Sequence, residues 1–275
     1  MSLSYARRRW GDSLRDSVTT SALDAFLQQL KIAPSSALLL DYDGTLAPFD
    51  VDRNRAFPYP GVISILGKIL RSGTTKVIII SGRSIAELRA LLAPINNFEM
   101  WGTHGLERRL SNGSYSCLPI NEEDAVVLAE AQEWIVAAGL LSRAEIKLGG
   151  IAIHWRGLAP AEAKSVQSLT LDGWTKIADQ SRLRLLQFEA GLELRVSHPD
   201  KGDAVTSILA DLESGVPVAY LGDDLTDEDA FRALNGHGLT VLVKETYRET
   251  NADTWIRPPH ELIDLLERWL ISTSG

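Results

Sequence analysis

Apolar residues follow two rhythms along this chain. Short unbroken runs at 37–40 (ALLL), 77–80 (VIII), 216–221 (VPVAYL) and 239–243 (LTVLV) have the length and β-branched content of strands buried on both faces. Between them lie segments whose apolar residues recur at helical spacing: SALDAFLQQL (21–30), PGVISILGKILRSG (60–73, with Gly73 as a stop), SIAELRALLAP (84–94), KGDAVTSILADL (201–212), TDEDAFRAL (226–234) and PPHELIDLLERWLI (258–271). This βαβα alternation predicts an α/β fold with a parallel sheet and right-handed crossovers. Its ligand site is expected at the carboxyl ends of the strands.

The middle of the chain departs from that rhythm. Strand-like segments from Glu107 to His198 come in neighbouring pairs: ERRLSNGSYSCLP around Asn112-Gly113, AEIKLGGIAIHWRG around Gly149-Gly150, and LRLLQFEAGLELRVSH turning at Gly191. Helical segments near 121–138 and 160–178 lie between the pairs. The pattern predicts a second α+β domain, residues 107–198, inserted into a core formed by 35–106 and 199–275. An N-terminal segment and helix, 1–34, precede both.

Composition narrows the function. With 275 residues, 45% hydrophobic and 23% charged, the chain has ample material for a core, and its net charge of −8 gives no broad attraction for nucleic acid or an anionic membrane. The single cysteine, Cys117, excludes an intramolecular disulfide, is consistent with a cytoplasmic location, and is expected to pack. The start, MSLSYARRRWGDSL, lacks the apolar core of a secretory signal, and it reads as a loosely held end with Arg7, Arg8 and Arg9 solvated. Trp134, Trp174 and Trp269 fall at helical positions and are expected to pack. No partner protein is implied, and a monomer is expected. Dinucleotide, Walker, zinc-protease and serine-hydrolase motifs are absent from the sequence.

The acidic residues fall where the predicted core strands end. Asp41 and Asp43 close the first in LLLDYDGTLAP, and Asp223, Asp224 and Asp227 follow a later one in YLGDDLTDED. A single Asp-Gly or Asp-Asp is ordinarily a turn or helix cap, and Asp224 or Thr226 suits the helix that follows. Several carboxylates gathered at one sheet edge suit a hard divalent cation such as Mg²⁺, which takes a few oxygen ligands besides water and substrate phosphate. Ser81, after VIII at an expected helix start, and Lys201, opening another helix, suit a phosphate.

Together, DYDGT, SGR, the lysine of KG and GDDLTDEDAF resemble the four motifs of the haloacid dehalogenase (HAD) superfamily. With GTHGLE (102–107) and LELRV (192–196) they are similar in particular to the trehalose-6-phosphate phosphatases. The resemblance implies a Rossmann-like HAD core with an inserted α+β cap. It implies Asp41 as nucleophile and metal ligand, Asp43 as acid and base with its carbonyl on Mg²⁺, Asp223 on the metal, and Asp224 or Asp227 in support. Ser81 and Lys201 would bind the phosphoryl, with Gly82 and Arg83 beside them. Glu193 and Arg195 of the cap would read the sugar, joined by His104, Glu107, Lys147, His154 and Arg156. The substrate implied is a phosphorylated sugar, trehalose 6-phosphate first. Another sugar phosphate (sucrose phosphate, mannosyl-3-phosphoglycerate or a hexose phosphate), a phosphomutase reaction and a non-catalytic sensor stay open. Two departures from the family pattern bear on the sugar: Ser197 stands where a proline is usual, and Asp200 where an asparagine often precedes the lysine.

Overall fold

The computed structural model describes residues 22–274 except Asn96 and Glu189. The N-terminal arginines therefore lie outside the described residues. Among those described, the strands form two sheets.

The large sheet has eight strands, in the order β12-β11-β10-β1-β2-β3-β4-β5. Its parallel part comprises β1 (Ser36–Leu40), β2 (Thr75–Ile80), β3 (Glu99–Gly102), β10 (Val218–Gly222), β11 (Leu239–Val243) and β12 (Thr254–Ile256). Helices cover both faces, and the alternation of side chains along a strand divides the core accordingly. Leu38 and Leu40, with Val77 and Ile79, face α1 (residues 22–32), α2 (Val62–Ser72), α3 (Ile85–Leu91) and α8 (His260–Thr273). Ala37 and Leu39, with Ile78 and Ile80, face α6 (Lys201–Asp211) and α7 (Asp227–Leu234). Gly73 ends α2 in the left-handed conformation, φ +75°, as expected of that residue at a helix stop.

The second sheet, in the order β6-β7-β9-β8, is antiparallel throughout. Its strands are β6 (Ala144–Lys147), β7 (Gly150–His154), β8 (Arg184–Phe188) and β9 (Gly191–Arg195), and α4 (Glu122–Ala137) and α5 (Pro160–Asp179) accompany it. Trp134 and Trp174 meet between those helices with ring centroids 6.3 Å apart. Trp269 is buried against Phe26 and donates to Thr75 Oγ1 at 3.0 Å.

Three local expectations change. The Asn112-Gly113 hairpin, β4 (Glu107–Arg109) and β5 (Tyr115–Cys117), pairs with β3 and extends the large sheet, because a backbone edge was free there. Cys117 is exposed on that outermost strand instead of packed. Ser81 does not open a helix; Ser84 caps α3 in a reciprocal box with Glu87, leaving Ser81 on the turn before it.

Candidate active site

The strand ends of β1, β2 and β10 meet the second sheet across a cleft. At its floor, Lys201 Nζ donates to Asp41 Oδ1 and to Asp227 Oδ1, both at 2.7 Å. All three side chains are almost fully buried.

The carboxylates have unequal surroundings. Asp227 accepts four hydrogen bonds: Lys201 Nζ and Tyr220 Oη (2.6 Å) on one oxygen, the N–H groups of Asp223 (3.0 Å) and Asp224 (2.9 Å) on the other. Burial pushes its pKa up, but Lys201 and these donors hold it below the ordinary value. Asp41 has Lys201 and only a long contact from Thr45 Oγ1 at 3.4 Å. Burial, and then the Asp227 charge, push Asp41 up to about 7 despite Lys201. Asp223 is raised well above its ordinary value by burial and by Asp41 and Asp227. Its Oδ1 has no hydrogen-bond partner among the described residues, while Lys244 Nζ lies 3.4 Å from Oδ2. Burial opposes the Lys201 charge, and the two carboxylates more than offset it.

Ligand oxygens of Asp41, Asp223 and Asp227 lie within 4.8 Å of one another. An all-oxygen set with an orphaned buried carboxylate atom and too little positive charge fits a hard divalent cation. Because Asp227 has its acceptors filled, Asp41 and Asp223 are the carboxylates left to bind one. Gly44 leaves space beside them: its φ is +79°, and a Cβ there would stand 2.2 Å from Asp223 Oδ2.

Asp43 is held differently. Arg83 donates to it twice, Nε to Oδ2 at 2.6 Å and Nη2 to Oδ1 at 2.7 Å, while its own Nη1 donates to the Arg53 carbonyl at 2.9 Å. Ser81 is buried beside Asp41 at the cleft floor, and its hydroxyl accepts the Arg83 N–H at 3.2 Å.

The second sheet supplies the roof. Lys147 Nζ donates to Glu193 Oε1 at 2.9 Å, His154 Nε2 lies 2.8 Å from Glu145 Oε2, and Arg156 stacks 4.7 Å over Phe49 from the opposite wall. His104, in left-handed backbone at φ +56°, brings Nε2 to 3.2 Å from Glu193 Oε2 without hydrogen-bond alignment. Burial lowers the His104 pKa to about 4, against the pull of Glu193. Gly82 permits this: a Cβ would meet the imidazole at 2.6 Å.

Of the substrate-binding residues expected, Gly82, Arg83, His104, Lys147, His154, Arg156 and Glu193 line the cleft. Glu107 and Arg195 are not among its lining residues. Glu107 turns inward to accept Thr103 Oγ1 (2.6 Å), Tyr115 Oη (2.9 Å) and the Ile85 N–H (3.3 Å). Arg195 is buried below the roof, where Nη1 donates to the Pro199 carbonyl at 3.3 Å. Asp224 and Asp43 both reach the cleft. Phe49, Arg53, Glu145 and Phe188 also line it but fall outside every motif; Tyr220 had only its place in a strand to mark it.

The family model of trehalose-phosphatases matches residues 39–255. The chain belongs to the trehalose-phosphatase family. It is 30% identical to trehalose-phosphate phosphatase B of Arabidopsis thaliana over 93% of this chain and 73% of that one. It is also 30% identical to the trehalose-phosphate phosphatase of Mycobacterium tuberculosis, over 89% and 63%. In fold it is similar to the C-terminal domain of Candida albicans trehalose-6-phosphate phosphatase, with TM-score 0.77 at 20% identity, covering 90% and 96% of the two chains. A haloacid dehalogenase-like hydrolase from B. subtilis matches with TM-score 0.59 at 15% identity, covering 84% and 99%. The expected family, HAD fold and phosphatase class are thus borne out, and the family implies a divalent metal at the acidic cluster. No helix of the described residues is long and apolar enough to cross a membrane.

Proposed function

We propose that this trehalose-phosphatase hydrolyses trehalose 6-phosphate to trehalose and phosphate, with Mg²⁺ as its metal, and that the four-stranded layer is the cap that selects the sugar. The carrying observation is the pairing of two differently held aspartates: Asp41 in contact with Lys201 on the floor, and Asp43 two residues on, clamped by Arg83.

In this reading Asp41 attacks phosphorus and becomes an aspartyl phosphate as the bond to the sugar oxygen breaks. Asp43 gives that oxygen a proton, then takes one from the water that cleaves the acyl phosphate. Lys201 and Ser81 bind phosphoryl oxygens as charge moves onto them. Mg²⁺, held by Asp41, Asp223 and the Asp43 carbonyl, with Asp224 nearby, would neutralise phosphate charge and keep Asp41 ionised. Above, Lys147, Glu193, His154, Arg156 and His104 offer donors and acceptors to sugar hydroxyls while the roof excludes water. Arg195 and Glu107 support this surface from behind.

Phosphate release from a panel of sugar phosphates, with Mg²⁺ and then with a chelator, tests the reading. Metal-dependent preference for trehalose 6-phosphate is expected. Preference for another sugar phosphate would overturn the substrate, and phosphate moving along the sugar without entering solution would identify a mutase.

A further inference from the structure

Arg53 belongs to no motif, yet it stands where three parts of the molecule meet. It opens a short 3-10 turn, Arg53–Arg55, set by Asp52, whose carboxylate accepts the Asn54 N–H at 3.0 Å. Its guanidinium pairs with Glu145 on β6 and lies 3.4 Å from Glu87 Oε1 on α3. Glu145 in turn contacts His154 Nε2 at 2.8 Å and Lys147 Nζ at 3.5 Å. On the other side, the Arg53 carbonyl accepts Arg83 Nη1, and Arg83 makes both bonds to Asp43. A continuous line of contacts therefore runs from the roof strand to the carboxylate that would serve the leaving oxygen.

An exposed ion pair of this kind would contribute little. Arg53 and Glu145 side chains are only 23% and 18% exposed, so solvent screens them incompletely. The planar guanidinium also reaches two carboxylates in different directions, which a lysine does with less definition. We propose that Arg53 is a positioning residue that couples seating of the four-stranded layer, through Glu145, to the alignment of Asp43, through Arg83. The inference rests on the phosphatase reading above for the role of Asp43. With the roof lifted, Arg53 keeps only Glu87, and the carbonyl that steadies Arg83 loses its anchor on the roof side.

The test is a cycle of Arg53→Ala, Glu145→Ala and the double variant, with Arg53→Lys beside them. Each is assayed by the single-turnover rate of alcohol release from trehalose 6-phosphate and from p-nitrophenyl phosphate, because Asp43 must protonate the sugar but not the aryl leaving group, and the water step it serves with both substrates lies outside that rate. Each single alanine variant should lower that rate on the sugar phosphate about ten-fold at saturation, more than it changes the half-saturating concentration, since misaligning one acid sacrifices part of a roughly 10²–10⁴-fold contribution. The double variant should lose no more than the worse single, the loss on the aryl phosphate should be at least about five-fold smaller, and Arg53→Lys should recover part of it. Losses that multiply in the double variant, or equal losses on both substrates, overturn the coupling. Small-angle X-ray scattering of the unliganded proteins gives a readout free of substrate: the radius of gyration should rise alike in both single variants and the double. An unchanged radius overturns the latch even where the substrate reading holds, whereas wild-type silence on trehalose 6-phosphate sinks the substrate reading alone and leaves scattering to decide the latch.

Discussion

Asp227→Asn isolates what holds the acidic floor together. The change removes a negative charge 2.7 Å from Lys201 Nζ and within 4.8 Å of the Asp41 and Asp223 ligand oxygens. At an effective dielectric near 20, the lost attraction is about 6 kcal/mol and the relieved repulsion at least about 3–4 kcal/mol per fully ionised neighbour, but Asp41, pushed up to about 7, is only partly ionised at pH 7. Burial also raises Asp223 well above its ordinary value, which reduces its share of that repulsion. Hydrogen bonding points the same way. Both Asp227 oxygens accept two donors each, so an amide NH₂ on either side loses two bonds and faces donors with a donor. Breaking a buried pair from one side typically costs about 3–5 kcal/mol, and a loss of that size is expected here. In a protein of this length it corresponds to roughly 10 °C in Tm. Tyr220→Phe, which removes one donor and orphans nothing, should cost only about 1–2 kcal/mol. Urea denaturation at pH 7 in the presence of a chelator is the assay. An Asp227→Asn protein as stable as wild type would refute the reasoning, since repulsion among the carboxylates would then govern the floor.

Other outcomes follow from the same geometry. Gly44→Ala places a methyl against Asp223 at a positive φ and should weaken Mg²⁺ binding by about ten-fold or more in calorimetry; unchanged affinity would mean that Asp223 is not a ligand. His104 has a folded pKa of about 4 against an unfolded value near 6.5, so the unfolded chain binds its proton first as pH falls. Stability from this group is complete above pH 6.5 and is lost towards pH 4, by up to about 3 kcal/mol. His104→Asn, which tolerates the left-handed backbone, should flatten the denaturation profile between pH 7.5 and 5, and a wild-type-like slope in the variant would count against it. Glu193→Ala should reduce kcat/KM for trehalose 6-phosphate at least about ten-fold more than for p-nitrophenyl phosphate, with equal losses showing that this carboxylate does not read sugar.

The parts legible in the sequence were those with strong local grammar. The parallel strands β1, β2, β10 and β11 show as unbroken apolar runs, and their carboxyl ends carry Asp41, Ser81 and Asp223 to one place. Strands β3 and β12, of four and three residues, are too short for a period to emerge, and neither was anticipated. Hairpin β4–β5 was visible as a hairpin, but its side of the boundary was not, because edge pairing depends on which backbone groups are left free by the rest of the sheet. Residues at the cleft floor sit in motifs; those on the roof are spaced by the pleat of β6, β7 and β9 and look like any polar strand face. Glu107 and Arg195 were singled out by resemblance, yet neither lines the cleft. The variant Asp200 keeps a structural task, capping α6 by accepting the N–H groups of Gly202 at 2.8 Å and Asp203 at 3.1 Å. Arg53 had no marker, since its partners come from α3 and β6, far away in the chain.

The hairpin on the outer edge of the large sheet also has an engineering meaning. The chain leaves the large sheet after Cys117, reaches the helix layer of that sheet again at α6 and rejoins the sheet itself at Val218, so the second sheet and its two helices form one uninterrupted stretch between two seams. Asp41, Asp43, Ser81, Lys201 and Asp223 all lie outside that stretch. A graft that exchanged residues 119–197 for another roof, cut where the backbone already changes sheets, would therefore leave every strand pairing of the large sheet in place. In the proposed reading Lys147, His154, Arg156 and Glu193 would travel with the graft while His104 and the five phosphate-handling residues stay, and the return seam ends one residue before Lys201, where the pieces meet.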